Sequence, residues 1–268
     1  MESFKFGLIA DTQFADRPKS IGRYYRNALV KTRKAVDAFL REKVEFCVHL
    51  GDVIDWPNQP EKALEALNQF IPVMKGVGAP VHYVIGNHDL ASVRVDLFTA
   101  GLQEGMKDTW YSFDHKGMHF IILDCNFDNN SEWYCPENSE WDKCYIPLIE
   151  QQWLEKDLAA TQSPYVFVFV HALLDDMDNP HVIRNAGDVR RILEQSGKHI
   201  IVFQGHMHSG HESEKNGIGY HTMKAIVDGR THLCYWIVEV TGDGIYLDRY
   251  DNQVNHGKAK RECMFHYD

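Results

Sequence analysis

The spacing of apolar positions changes repeatedly along the chain, and it predicts strands that alternate with helices. Short and mainly apolar runs indicate buried strands, because a strand covered on both faces needs no polar alternation. Six such runs are present: Phe4 to Ala10, Phe46 to Leu50, Val81 to Ile85, His119 to Leu123, Tyr165 to Val170 and His199 to Phe203.

Between these runs the apolar residues recur every three or four positions, which is the period of an amphipathic helix. We predict helices from Tyr24 to Leu40, from about Pro60, from Leu148 to Ala160 and from Asp188 to Gln195. Strands that alternate with helices indicate the α/β class, in which helices join parallel strands.

The C-terminal part follows a different pattern. Gly219 to Asp228, His232 to Thr241 and Gly244 to Arg249 alternate between apolar and polar residues and are separated by turns that contain glycine. This pattern predicts three antiparallel strands.

Residues 125–147 form the least regular segment, and a loop of that length is usually functional or mobile. It carries four aromatic side chains: Trp133, Tyr134, Trp141 and Tyr145. They could provide a platform for a nucleobase. Packing of the loop onto the core is the slightly favoured alternative.

The composition is that of a globular protein. The chain has 268 residues, of which 44% are apolar and 25% charged, and we expect one domain over residues 1–268. With 28 basic and 38 acidic residues, its formal net charge of −10 argues against nucleic-acid or anionic-membrane binding through charge alone. An anionic substrate would need local positive charge, which metal ions can supply.

The sequence also predicts a cytoplasmic location. No apolar run approaches the roughly 20 residues of a membrane-spanning helix, and Met1 to Phe6 leads into a strand without a secretory pattern. The six cysteines are scattered without a Cys-x-x-Cys pair, which favours reduced thiols over a disulfide between Cys135 and Cys144.

Polar residues of the kind that bind metals follow five of the six predicted strands. They are Asp11 with Gln13, Asp52 with Asp55, Asn87 with His88, His171, and His206 with His208. Singly, each could cap a helix, close a turn or lie satisfied in the core. Together they predict one polar site, because parallel strands joined by helices share their carboxyl edge.

These donors suit two metal ions better than one. These oxygen and imidazole donors exceed the needs of a single ion, and Asp52 is the natural bridge because a carboxylate has two oxygens. Two divalent ions roughly 3.5–4 Å apart can clamp a phosphoryl group and stabilise both ends of an in-line displacement.

The full set of motifs resembles that of the calcineurin-like metallophosphoesterases. The motifs are Asp11-x-Gln13, Gly51-Asp52-x-x-Asp55, Gly86-Asn87-His88-Asp89, His171 and Gly205-His206-x-His208. The resemblance implies a four-layer α/β/β/α sandwich of two mixed sheets flanked by helices. It also implies hydrolysis of a phosphate ester or anhydride by a metal-bridging hydroxide.

The same resemblance implies a role for each residue. One ion would be held by Asp11, Gln13, Asp52 and His208, and the other by Asp52, Asn87, His171 and His206. His88 would contact the phosphate and protonate the leaving oxygen, with its ring oriented by Asp55, and Asn87 would help to hold the phosphate oxygens.

Gln13 departs from the histidine that is usual in the first motif. As an oxygen donor it should favour Mn²⁺ or Mg²⁺ over softer ions; alternatively, water fills its place. With glutamine at this position, the first motif resembles that of the branch of manganese-dependent ADP-ribose/CDP-alcohol diphosphatases. The stretches Arg23-Tyr24-Tyr25-Arg26 and Gly219-Tyr220-His221 resemble that branch as well. We therefore expect two divalent ions, Mn²⁺ before Mg²⁺, Fe²⁺ or Zn²⁺.

The substrate expected from this branch is a small nucleotide-like molecule such as ADP-ribose or a CDP-alcohol. Arg23 and Arg26 could clamp its diphosphate, or they could form the solvated start of a helix. The alternatives are a cyclic-nucleotide or glycerophosphodiester phosphodiesterase, a phosphomonoesterase and a protein phosphatase. The protein phosphatase is disfavoured because the residue after Asp55 is Trp56, where those enzymes usually have an arginine. A non-catalytic scaffold is disfavoured because every motif is present. The sequence leaves the oligomeric state open.

Overall fold

The computed structural model describes residues 2–102, 108–175, 178–253 and 259–267. Within these ranges the helices are α1 (Tyr25–Glu42), α2 (Pro60–Lys75), α3 (Asn87–Ser92), α4 (Val95–Leu102), α5 (Leu148–Ala160) and α6 (Ala186–Gln195). The strands form two six-stranded mixed sheets.

The first sheet has the order β12-β11-β10-β1-β2-β3. Its strands are β1 (Phe4–Ile9), β2 (Phe46–His49), β3 (Val81–Tyr83), β10 (Cys234–Val240), β11 (Gly244–Asp251) and β12 (Ala259–His266). β1, β2 and β3 run parallel, and the remaining neighbours are antiparallel. The parallel strands therefore end at the same edge.

The second sheet has the order β4-β5-β6-β7-β9-β8. Its strands are β4 (Tyr111–His115), β5 (Met118–Ile122), β6 (Tyr165–Phe169), β7 (His199–Gln204), β8 (His211–Lys215) and β9 (Ile218–Thr222). β5, β6, β7 and β9 are parallel, whereas β4 and β8 pair antiparallel at the two edges.

A core rich in phenylalanine joins the two sheets face to face. Phe6 of the first sheet is fully buried, and its ring centroid lies 5.0 Å from that of Phe46 beside it. Across the interface it lies 5.7 Å from Phe120 and 5.3 Å from Phe167 in edge-on contacts. Such tilted aromatic pairs add to the stabilisation that burial gives.

Helices cover the outer face of each sheet. On the first sheet, α1 packs so closely that a Cβ on Gly7 would lie 2.8 Å from the Phe39 ring. On the second sheet, Asp157 of α5 accepts a hydrogen bond from the Ser112 hydroxyl at 2.7 Å. The other oxygen of Asp157 lies 2.7 Å from His119 Nε2. The layers therefore follow the order helix, sheet, sheet, helix, which confirms the predicted α/β/β/α sandwich.

The predicted strand from Gly219 to Asp228 is partly wrong. The strand ends at Thr222, belongs to the second sheet and runs parallel to β7, so it does not form an antiparallel set with β10 and β11. The residues that follow cross to the other sheet, where Ile226 N–H bonds to Ala10 C=O. Apolar alternation is the same for parallel and antiparallel partners, so it could not identify the neighbour.

Two further observations concern the expectations for cysteines and membrane helices. All six cysteines are free, and Cys135 and Cys144 are not bonded to each other. In the described ranges, no helix combines the length and apolar character needed to cross a bilayer.

Replacing Phe6 with alanine is expected to lower the free energy of unfolding by about 3–5 kcal/mol, because the lost ring leaves a cavity between the sheets. Denaturant unfolding measures this change. The control Val30→Ala, at a half-exposed position of α1, should cost no more than about 0.5 kcal/mol. A loss below about 1 kcal/mol for Phe6→Ala would contradict the central role of this core.

Candidate metal centre

The polar residues that follow the strands meet where the edges of the two sheets come together. Asp11 and Gln13 follow β1, Asp52 follows β2, and Asn87 begins α3 shortly after β3. From the second sheet, His171 follows β6 and both His206 and His208 follow β7. The site is thus built by two sheets rather than by the edge of one.

Two groups of potential ligands overlap in one residue. Ligand atoms of Asp52, His171 and His206 lie within 4.8 Å of one another, and the same holds for Asp11, Asp52 and His208. Asp52 belongs to both groups, which is the arrangement expected for a bridging carboxylate between two ions.

Asn87 and Gln13 extend these groups by one residue each. Asn87 Oδ1 lies 3.2 Å from His171 Nε2. The Gln13 amide nitrogen lies 2.9 Å from Asp52 Oδ2 and 3.2 Å from His208 Nε2. A turn of the amide by 180° would exchange its nitrogen and oxygen and present the oxygen to the second group.

Neighbouring acceptors fix the orientation of two imidazoles. His171 Nδ1 lies 2.8 Å from the backbone oxygen of Leu50, and His208 Nδ1 lies 3.1 Å from Asp228 Oδ2. Each acceptor selects the tautomer with the proton on Nδ1, which leaves Nε2 able to bind a cation. The motif pattern gave no signal for Asp228, which lies far along the chain.

Among the candidate metal ligands, two buried side-chain atoms lack a hydrogen-bond partner in the described residues. They are Oε1 of Gln13 and Nε2 of His206, and both residues are at least nine-tenths buried. Unsatisfied buried polar atoms are rare in native proteins and call for a missing partner. Cations satisfy acceptors of this kind, so the donor set fits divalent metal ions.

The electrostatics of the site also favour cations. Burial alone would raise the pKa of Asp52, but His171 and His88 outweigh it and hold that pKa well below its usual range. Burial and the nearby His171 hold the pKa of His206 well below its usual range. Asp52 is therefore an anion and His206 a neutral imidazole, which are the forms that bind metals.

The backbone of the site adopts unusual conformations. Four of its non-glycine residues have φ in the left-handed region, namely Asp11 at 50°, Gln13 at 40°, Asp52 at 56° and His206 at 65°. Such conformations cost energy and gather at functional sites, where the surrounding structure enforces them.

Glycine is required at Gly86 because another backbone approaches it closely. A Cβ there would lie 2.2 Å from both the backbone nitrogen and Oδ1 of Asp52. The absence of a side chain at Gly86 therefore determines how near Asp52 can approach Asn87 and His88.

Asp89 joins the two loops that carry these residues. Its buried carboxylate accepts hydrogen bonds from the backbone N–H groups of Val53 (2.8 Å), Ile54 (3.0 Å) and Gly86 (2.9 Å). Sequence reasoning included Asp89 in a motif but gave it no role, although an acid directly after Asn-His was a usable signal.

His88 lies beside the ligand groups and is flanked by charged side chains. Its Nδ1 is 3.1 Å from Asp55 Oδ1, and its Nε2 is 3.4 Å from the Arg23 guanidinium. Arg26 instead pairs with the exposed Asp16. The structure therefore brings Arg23 to the site and leaves Arg26 on the surface.

A cleft of about 290 Å³ opens over the site. Its lining comprises Arg23, Asp52, His88, Trp141, His181, His206 and His208. An adjoining cavity of about 350 Å³ shares Arg23, His181, His206 and His208 with it. The cleft is thus bordered by both ligand groups and by a guanidinium.

The irregular segment contributes one aromatic ring to this cleft. Trp141 is 47% exposed, and its ring centroid lies 5.0 Å from His181 and 6.1 Å from His206. Tyr134, from the same segment, is buried in the core. Sequence analysis slightly favoured packing onto the core for these rings, and it missed His181, which follows no predicted strand.

Comparison with known proteins places this geometry in context. Residues 4–210 match the family model for calcineurin-like phosphoesterases. A Mus musculus protein named manganese-dependent ADP-ribose/CDP-alcohol diphosphatase is 36% identical over 176 residues, which cover 55% of this chain and 51% of that protein. Its namesake from Xenopus tropicalis is 37% identical over 95 residues, or 32% of this chain and 28% of that protein. The matched segments therefore span about half or less of the length of these relatives.

Solved structures extend the similarity of fold over nearly the whole chain. A dimetal phosphatase from Danio rerio superposes with a TM-score of 0.80 at 20% identity and covers 98% of this chain and 99% of its own. A purple acid phosphatase from yellow lupin seeds has a TM-score of 0.66 at 13% identity, with 97% of this chain and 53% of that chain covered. At these sequence identities the two comparisons show a similar fold and nothing beyond it.

Gly86→Ala is expected to lower both stability and Mn²⁺ affinity, because the new methyl group would displace Asp52. Calorimetric titration with Mn²⁺ and thermal unfolding measure the two effects; we expect affinity to fall at least about tenfold, as for loss of a supporting contact. Gly187→Ala is the matched control, since a Cβ built there meets no atom within 4 Å outside the adjoining backbone of its own helix. Equal Mn²⁺ affinity of Gly86→Ala and wild type would refute the close-approach explanation.

Proposed function

This chain belongs to the calcineurin-like phosphoesterase family, and on that premise we propose that it is a metal-dependent phosphohydrolase. Its proposed substrates are nucleoside diphosphate-linked small molecules of the ADP-ribose or CDP-alcohol type, cleaved at a phosphoanhydride or phosphodiester bond. The observation that carries this proposal is the pair of ligand groups that share Asp52.

In this proposal the residues of the two groups hold two divalent ions. Asp11, Gln13, Asp52 and His208 would hold one ion, and Asp52, Asn87, His171 and His206 the other. The ions, when bound, would neutralise charge on the phosphoryl oxygens and lower the pKa of water. Mn²⁺ is the proposed metal, supported by the oxygen donors and by the names of the relatives.

His88 would act on the leaving group. Its Nδ1 faces Asp55, so its Nε2 is the atom that can donate a proton to a departing oxygen in the cleft. Asn87, adjacent in the chain, would hold a phosphate oxygen. Apo contacts of this kind tighten when substrate binds.

Two further side chains support a nucleotide-like substrate. The Arg23 guanidinium lines the cleft next to His88 and is suited to the oxygens of a diphosphate. The exposed Trp141 ring lies beside the second ligand group, where a base could stack on it. The curated relatives carry names with the same substrate class.

A panel of ADP-ribose, CDP-choline, cyclic AMP and p-nitrophenyl phosphate, assayed with Mn²⁺, tests the proposal. We expect the highest kcat/KM on ADP-ribose or CDP-choline. Asp52→Asn should abolish turnover of all four, because both ions lose their shared ligand, while Asp96→Asn, at an exposed position of α4, should not change it. Preference for cyclic AMP would redirect the proposal to phosphodiesters, and an active Asp52→Asn would overturn it.

Gln13→His is expected to move metal preference toward Co²⁺ or Zn²⁺, since imidazole is a softer donor than an amide oxygen. The measurement is the ranking of initial rates with Mn²⁺, Co²⁺ and Zn²⁺. Gln162→His adds a histidine on the surface and serves as the control. If Gln13→His keeps the wild-type ranking, Gln13 does not ligate.

A further inference from the structure

We propose that Arg17 is a positioning residue for the leaving-group step: it anchors Asp55, and Asp55 in turn orients His88 toward the cleft. This inference rests on the proposed phosphohydrolase function. It assigns a role to a side chain in the loop between β1 and α1 that lies outside the motif Asp11-x-Gln13.

The contact between Arg17 and Asp55 is short and shielded. Arg17 Nη2 lies 2.5 Å from Asp55 Oδ2, and the Asp55 side chain is only 2% exposed. A charge-assisted hydrogen bond to a buried carboxylate is stronger than one on the surface, because water competes less. Arg17 therefore fixes one of the two oxygens of Asp55.

The other oxygen of Asp55 faces His88. Oδ1 lies 3.1 Å from His88 Nδ1 and has no aligned hydrogen bond with any described residue. Because the two oxygens are rigidly joined, holding Oδ2 also sets the direction of Oδ1. The position of His88 Nε2 in the cleft thus depends on where Arg17 holds Asp55.

Arg17 also keeps Asp55 from pairing fully with Arg23. The Arg23 guanidinium is 3.8 Å from the same Oδ2 atom and lines the cleft. With Oδ2 occupied by Arg17, Arg23 remains directed at His88 and the cleft. Loss of Arg17 would let Arg23 move onto Asp55 and withdraw from the cleft.

The guanidinium of Arg17 is held in place by an aromatic ring. Its Cζ atom lies 3.9 Å from the ring centroid of Tyr25, the first residue of α1. This distance is within the range of a cation–π contact. Arg17 does not belong to the lining of the cleft or of the adjoining cavity, so its effect on the substrate would pass through Asp55.

Arg17→Met tests this role with a series of aryl esters of thymidine 5′-phosphate that runs from p-nitrophenol to phenol. A good leaving group needs little protonation, whereas phenol needs more. We expect Arg17→Met to lower kcat on the phenyl ester at least about tenfold, a part of the 10²–10⁴-fold effect of positioned proton transfer. On the p-nitrophenyl ester the loss should stay below about threefold.

Three further variants separate positioning from general damage. In an Asp55→Asn background, Arg17→Met should lower kcat by less than about twofold, because the residue through which it acts is already altered. Arg17→Lys should recover part of the phenyl-ester rate. Arg191→Met, which removes an exposed arginine paired with Asp188 on α6, controls for loss of a surface charge.

An NMR measurement that does not depend on substrate turnover completes the test. The ¹⁵N shifts of the His88 ring, assigned with His88→Gln, should change in Arg17→Met and stay unchanged in Arg191→Met. A wild-type enzyme that cleaves none of the esters or the nucleotide panel would refute the proposed function, while the shifts would still report on Arg17. Unchanged His88 shifts, equal losses on all esters, or additive effects with Asp55→Asn would overturn the inference.

Discussion

Everything chemically distinctive about this protein depends on where the Asp52 carboxylate is held. Its Oδ1 accepts the backbone N–H of His88 at 2.8 Å, and its Oδ2 lies 2.9 Å from the side-chain amide of Gln13. One carboxylate can serve two ligand groups only if both its oxygens point correctly at once. That requirement explains the left-handed backbone at Asp52 and the lack of a side chain at Gly86. The core between the sheets supports this strained geometry.

The sequence allowed accurate prediction of the elements that position the site. Buried parallel strands such as β1, β2, β6 and β7 are short apolar runs, and a polar residue after each marks its carboxyl end. Because chain connectivity forces parallel strands to share an edge, five separate clusters could be assigned to one place. That these clusters come from two facing sheets could be inferred from the family resemblance but not from the pattern itself.

Features that depend on tertiary packing could not be predicted in the same way. Tyr111–His115 alternates weakly and contains Ser112 and Asp114, so its strand character comes from pairing with β5. The partner of Gly219 was misassigned because alternation does not identify a neighbour. Arg17 gave no signal because its role depends on a contact with a residue 38 positions away.

The most direct test of the central claim is anomalous diffraction at the manganese absorption edge from crystals soaked in Mn²⁺. The account predicts two peaks roughly 3.5–4 Å apart, one bounded by Asp11, Asp52 and His208 and the other by Asp52, His171 and His206. Asp52 should contact both. A single peak, or peaks that do not share Asp52, would contradict the two-ion account of this site.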